Sequence, residues 1–403
     1  MAPITVLYLP RNESTFPTLI LDQSHQIDLI ATDVEDIDEA SIDSALLAPK
    51  PRNVRRSVAD VGTLELLTSE QIAAVRGILW GPGGHPPCTW KQGFFFSSTP
   101  GLGFGLVQSQ GGPCGALAAV QGHILATCYN QNGFEAFGAS SWDAPCALLE
   151  SFLAILSFVR AGGATIIVGC PDDSTSGMTY QQLLRSATCW RVQSDISVRE
   201  VLESRMPQYM ERGGWGIVLF LFSVLLTKGI KQVQSEMDDP SSCLTGAHGY
   251  CSQELVNLLL CGQAATNVFD GNQEIEGQLL HGITSRPRVG LLTLLEWHRY
   301  VEVGQLLKSP RLPVWVVCSE SHFTVLFATT KGQSLPLDLM YYDGLANQEA
   351  PIRLAVSQRN SGAPAVPEDR TRCEGTTPPP LECVIHTKWP NSRVTWIGSD
   401  PLL

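Results

Sequence analysis

One cysteine in this 403-residue chain stands where a nucleophile would stand. The stretch Gln108-Ser109-Gln110-Gly111-Gly112-Pro113-Cys114-Gly115-Ala116-Leu117 reads as a loop that ends at Cys114 and turns straight into a helix. Gly111 and Gly112 permit a tight approach with unusual dihedrals, and Pro113 fixes φ for a helix start. From Cys114 onward, Leu117, Val120, Ile124, Leu125 and Cys128 recur at helical spacing. Cys114 then lies on the first turn, where unpaired N–H groups and the positive helix end favour a thiolate over a thiol. Gln108, six residues upstream across the glycine turn, could fold back and donate to an oxyanion. This is the arrangement a papain-like thiol hydrolase requires. The plain alternative is an inert core thiol, because cysteine is among the most buried residue types.

A cysteine nucleophile needs a base supplied from elsewhere in the chain. Of eight histidines, His322 is the best placed. Two short apolar, β-branched runs, Pro313 to Cys318 and Phe323 to Ala328, flank the polar break Ser319-Glu320-Ser321. They predict two strands with the histidine at the start of the second, a rigid platform for an imidazole. A third run, Leu335 to Gly344, would pair with the His322 strand and bring Asp338 or Asp343 near the ring. Either could hold the imidazole in the needed tautomer. Asp338 is the preferred orienter, since Asp343-Gly344 also reads as an ordinary turn dipeptide.

Further motifs follow in order: His248-Gly-Tyr-Cys-Ser-Gln-Glu-Leu-Val-Asn-Leu-Leu-Leu260, Asn267-Val-Phe-Asp270, Tyr341-Tyr-Asp-Gly-Leu-Ala-Asn347, and Thr387-Lys-Trp through Gly398-Ser-Asp-Pro-Leu402. With these, the chain from about Leu67 to its end resembles the MINDY family of deubiquitinating cysteine proteases, in the branch of its third and fourth members and most closely the fourth. The resemblance implies the nucleophile at Cys114, the base at His322 and the oxyanion glutamine at Gln108. It also implies cleavage of polyubiquitin of the linkage that sends proteins to the proteasome. Such a mechanism needs no metal and no organic cofactor. The alternative within the same resemblance is a silent or autoinhibited pseudoenzyme that binds ubiquitin chains and leaves them intact.

These residues need a scaffold, and the pattern predicts an α+β fold in which the nucleophile helix packs on the sheet that carries the histidine. Residues 1–62 read as a largely disordered leader, and 63–403 as one catalytic domain with a mobile loop at 351–380, rich in Pro, Ser and Thr. Within the leader, Ile27, Leu29 and Ile30 precede a run of acids, a pattern similar to a SUMO-interacting strand. The globular part is predicted to open with a capped helix after Thr68, then a strand over Trp90 to Phe96. Lys228 to Ser242 reads as a polar loop, and Leu381 to Thr387 as a strand. His248 with Cys243 and Cys251 is too sparse for a four-ligand zinc site. The net charge of −12 argues against a broad nucleic-acid surface. The longest apolar run, Trp215 to Leu226, is too short to span a bilayer, which takes about 20 residues. Twelve cysteines without a C-x-x-C pair, and no secretory n-region, predict reduced thiols in a cytoplasmic or nuclear protein that is not secreted.

Overall fold

A computed structural model of the chain describes residues 63–131, 143–160, 162–246, 248–330, 332–359 and 379–398. The expected modifier-binding pattern at Ile27, Leu29 and Ile30 lies outside the described residues. In chain order the first elements are β1 (Thr63–Leu66), α1 (Ser69–Trp80), α2 (Cys114–Gln131), α3 (Ala144–Val159), β2 (Thr165–Gly169), α4 (Tyr180–Ser186), β3 (Thr188–Val192), α5 (Asp195–Met210), α6 (Gly216–Lys228), α7 (Ile230–Ser235) and α8 (Gln253–Cys261). There follow β4 (Gln273–Ile275), β5 (Gln278–Leu280), β6 (Gly290–Thr293), α9 (Leu294–Trp297), α10 (Gln305–Lys308), β7 (Val314–Ser319), β8 (His322–Ala328), β9 (Leu337–Tyr342), β10 (Ile352–Gln358), α11 (Pro380–Lys388) and β11 (Ser392–Ile397).

The main sheet runs in the order β11-β10-β9-β8-β7-β6, antiparallel except for the parallel β6–β7 pair. Its strands alternate with period two, and both faces are covered. Val314, Val316, Phe323, Val325 and Phe327 face the core that contains α2. Trp315, Val317, Leu326, Leu339, Leu354 and Val356 face Leu381, Val384 and Ile385 of α11. Helix α2 is buried on every side from Cys114 to Tyr129, as expected of a helix that is apolar all round. A second sheet, β1-β3-β2, leans on α6. The free edge of β2 is closed by side chains of that helix rather than by a strand. Ile166 N–H donates to Thr227 Oγ1 (2.9 Å), Thr227 Oγ1 donates to Ile166 C=O (3.1 Å), and Val168 N–H donates to Ser223 Oγ (2.9 Å). Two hydroxyls in an otherwise apolar helix thus satisfy a buried edge. Phe152 stacks on Phe220 at 3.9 Å, and Phe94 meets both edge-on.

The helix after Thr68 forms with its capping box: Gln71 N–H donates to Thr68 Oγ1, and Thr68 N–H to Gln71 Oε1. Four expectations are corrected. Trp90 to Phe96 is not a strand but a 3-10 turn at Cys88–Trp90 and an extended stretch with one bridge, Phe96 to Leu106. Its aromatic residues are core plugs, with Trp90 and Phe94 wholly buried. The polar run after Lys228 contains α7, anchored by Val233. Residues 352–358 of the expected loop are instead a strand, because Ile352, Leu354 and Val356 alternate inward as β10 between β9 and β11; residues 360–378 lie outside the described set. Leu381 to Thr387 is helical, since Pro380 starts α11 and Leu381, Val384 and Ile385 share one face. Short apolar runs do not separate strand from helix by pattern alone.

Replacing Thr227 with Val keeps the shape and removes both hydrogen bonds to Ile166. Chemical denaturation should show a loss of about 1–3 kcal/mol, the cost of orphaned buried backbone groups. Thr227→Ser should lose clearly less. Equal losses in the two variants would mean that packing, not edge closure, sets the cost.

Candidate active site

Cys114, His322 and Asp343, three of the candidate residues, meet where the start of α2 touches the turn between β7 and β8. Cys114 Sγ lies 3.7 Å from the carbonyl oxygen of Ser321 and 3.9 Å from that of Gly112. His322 opens β8 directly after Ser321. Its Nε2 lies 2.8 Å from both Asp343 oxygens, so the ring N–H donates to that carboxylate. Nδ1 is the ring nitrogen left to serve the Cys114 thiol. Burial alone would lower the His322 pKa. Hydrogen bonds to Asp343 and to Cys114 outweigh it and hold the imidazolium up to about 10.

The acid that meets His322 is Asp343, not Asp338, and the antiparallel register explains why. Val325 pairs with Tyr342 and Ala328 with Leu339. The end of β9 therefore returns to the His322 end of β8, while its start lies at the far end. Asp338 sits at that far end, exposed, with its backbone C=O accepting from Thr329 N–H at 2.8 Å. Five residues of strand separate the two acids by about 17 Å. The Asp343 carboxylate is itself held by Leu345 N–H at 2.9 Å. What reads in sequence as a turn dipeptide is both a turn and the carboxylate that faces the His322 ring.

Gln108 shares a narrow cavity with Cys114, lined also by Leu106, Gln121, Thr324 and Tyr342. Its backbone N–H donates to Gly344 C=O (2.9 Å), and its side-chain Nε2 donates to Gln110 C=O (2.7 Å). One amide N–H is thus engaged within the loop, and the second has no partner among the described residues. Three residues that sequence reasoning left without a role hold this segment. Leu106 N–H donates to Gln121 Oε1 (2.6 Å), and Gln121 Nε2 donates to Phe104 C=O (3.0 Å). Tyr342 OH donates to Leu106 C=O (3.0 Å), and Ser109 N–H donates to Gln92 Oε1 (3.0 Å). The available signal was polarity out of place, since Gln121 is a buried amide on an apolar helix. A Cβ on Gly105 would stand 2.1 Å from the Tyr342 ring, so only glycine admits that phenol.

The His248 stretch packs beneath the nucleophile turn. Trp90 Nε1 donates to Gly249 C=O at 2.8 Å, and a Cβ on Gly115 would stand 2.7 Å from Cys251 Cβ. His248 is exposed and Cys251 buried. Among the described residues no three His, Cys, Asp or Glu side chains gather as a metal-holding group. No described helix is long and apolar enough to cross a membrane.

The family described as "Deubiquitinating enzyme MINDY-3/4, conserved domain" matches residues 77–398. The chain is 41% identical over 351 residues to the Bos taurus protein named "Probable ubiquitin carboxyl-terminal hydrolase MINDY-4", covering 78% of this chain and 43% of that one. It is 33% identical over 400 residues to the Xenopus tropicalis protein of the same name, covering 92% and 52%. Against the Homo sapiens "Ubiquitin carboxyl-terminal hydrolase MINDY-3" it is 34% identical over 294 residues, covering 64% and 66%. The chain spans about half the length of the curated MINDY-4 relatives it matches. No solved structure matches it.

The raised His322 pKa sets the sign of a pH dependence. The imidazolium form persists through neutral pH and is lost as pH rises through about 10. Activity that needs this proton should hold to mildly alkaline pH and fall beyond. Asp343→Asn removes the largest upward contribution and should move the alkaline limb to lower pH. The same change should lower kcat/KM on the order of a hundredfold. A pH–rate profile of both proteins checks it, and an unmoved limb would sink the assignment of Asp343.

Proposed function

Because this chain belongs to the MINDY-3/4 family of deubiquitinating enzymes, we propose that it is a cysteine-type deubiquitinase that hydrolyses isopeptide bonds in polyubiquitin. The observation that carries the reading is the His322 ring, clamped through Nε2 on Asp343 at 2.8 Å, beside a cysteine on the first turn of a buried helix. A helix-borne thiol facing a sheet-borne histidine also supports a papain-like description of the architecture. Selectivity for the proteasome-targeting linkage is part of the proposal and comes from the family resemblance. Eleven free cysteines among the described residues accord with a cytoplasmic or nuclear location.

In this mechanism the Cys114 thiolate attacks the carbonyl carbon of the C-terminal glycine of ubiquitin. The tetrahedral oxyanion is met by backbone N–H groups at the start of α2 and by the Gln108 amide. His322 gives its Nδ1 proton to the departing lysine amine, and the C–N bond breaks to leave a thioester. A water then adds to the thioester carbonyl while His322 takes its proton. Collapse releases the ubiquitin carboxylate and the thiolate.

One observation favours a second reading, a closed resting form of the same enzyme. Cys114 is only 1% exposed, with one Gln108 Nε2 hydrogen given to the Gln110 carbonyl. Opening of the Gln108–Gly112 loop by substrate would free both.

The test is reaction with ubiquitin carrying a C-terminal electrophile, read by intact mass and peptide mapping. A single adduct on Cys114 is expected, and Cys114→Ala should abolish both adduct and chain cleavage with an unchanged circular dichroism spectrum. Chain binding without an adduct would favour the closed or silent form. Neither binding nor adduct would overturn the ubiquitin reading.

A further inference from the structure

Two residues, Glu320 and Ser321, join β7 to β8 in a tight hairpin closed by the Ser319–His322 pair. The turn lies against the reacting atoms, since the Ser321 carbonyl is 3.7 Å from Cys114 Sγ and the next residue is the base. Glu320 has φ +55°. That left-handed conformation suits Gly, Asn or Asp in two-residue hairpin turns and is costly for a longer side chain. Residues in this conformation persist where the surrounding structure holds them, and they concentrate at active sites.

The Glu320 backbone is fixed, with its carbonyl accepting from Cys318 Sγ at 3.6 Å. Its side chain is exposed and has neither a hydrogen bond nor an ion pair among the described residues. Its peptide bond leads directly into the Ser321 carbonyl beside Cys114 Sγ, which sets the residue at the edge of the site. The other acid at this turn, Asp343, is already spent on His322 and Leu345. Glu320 is thus an exposed carboxylate without a described partner, one residue from the carbonyl that touches Cys114.

We propose that Glu320 is a specificity-determining residue whose carboxylate takes a cationic side chain of the substrate beside the scissile bond. The assignment rests on the deubiquitinase reading. On that reading the cation is the arginine that precedes the two terminal glycines of ubiquitin, and a guanidinium–carboxylate pair is the chemistry that fits.

Three variants of the full chain separate charge from turn geometry. Glu320→Gln keeps the length and removes the charge. Glu320→Asn is neutral and tolerates positive φ, and Glu320→Lys reverses the charge. Each is assayed on ubiquitin with a C-terminal fluorogenic amide, bearing either the native tail or one with that arginine changed to glutamate. On the native tail, Glu320→Gln and Glu320→Asn should each lose roughly tenfold in kcat/KM, mostly through KM. The glutamate tail should slow the wild type more than Glu320→Gln, and Glu320→Lys should recover turnover on it. If Glu320→Asn matches or exceeds the wild type on the native tail, the glutamate serves only the turn and the proposal fails. If Glu320→Lys is equally poor on both tails, or the loss appears only with isopeptide-linked chains, the tail arginine is not its partner and the proposal also fails. Failure with Cys114 still labelled by the ubiquitin electrophile removes the Glu320 assignment alone. Failure of the wild type to be labelled removes the deubiquitinase reading with it.

Discussion

The structure depends on a helix that has no solvent-facing side. From Cys114 to Tyr129 every residue of α2 is buried, so each polar group it carries must find a protein partner or cost free energy. The partners found are the joints of the fold. Gln121 holds the Phe104–Leu106 strip, His123 Nε2 donates to Leu259 C=O of α8 at 2.9 Å, and Tyr129 OH donates to Ala328 C=O at the end of β8. Burial pushes His123 down to about 4, so it serves that joint as a neutral ring. Because α2 is clamped along its length to β8 and α8, its first turn cannot move relative to the β7–β8 hairpin without breaking these joints. Precision at Cys114 is thus inherited from bonds up to a full helix away.

At that fixed point two opposing effects act on His322. Burial disfavours the imidazolium, and a carboxylate together with a thiol favours it. The balance falls on the charged side because Asp343 is anchored by Leu345 N–H and presents both oxygens to Nε2. A carboxylate free to rotate into water would be screened and would hold the ring less firmly. The orienter therefore belongs on a tight turn rather than along a strand, which is where Asp338 lies.

The parts legible in the sequence were those written in short-range pattern. The loop-to-helix signature fixed Cys114, the paired β-branched runs fixed His322 at a strand start, and Thr68 marked a helix cap. What escaped needed tertiary knowledge. Choosing Asp343 over Asp338 requires the β8–β9 register, which no single strand encodes. β10 was hidden because its inward residues Ile352, Leu354 and Val356 adjoin a Pro- and Ser-rich tract. The apolar run of α11 is short enough to fit either the strand or the helix period. The motif Asn267-Val-Phe-Asp270, which by resemblance marks the family, proves to be scaffold. Asp270 caps the first turn of α10 through Gln305 and Leu306 N–H, and Asn267 Nδ2 donates to Asp238.

The surroundings of Cys114 differ from those of the neighbouring thiols. Three thiols crowd the nucleophile turn. Cys251 Sγ lies 4.0 Å from the Gly112 carbonyl, and Cys318 Sγ donates to the Glu320 carbonyl. Burial and the proximity of Cys114 push the Cys251 pKa up, and burial pushes Cys318 up to about 12. Both are thus held as thiols in apolar surroundings, and inert thiols pack as small hydrophobes. Only Cys114 combines a place on the first turn of the long helix with an imidazolium partner. Gly115 and Cys251 in contact also show why the neighbouring thiol is small. A larger side chain at 251 would press on Gly115 and tilt the helix start away from the Ser321 carbonyl. Cys251 is accordingly read as the spacer that sets the nucleophile's height, and its chemistry is that of volume rather than of sulfur.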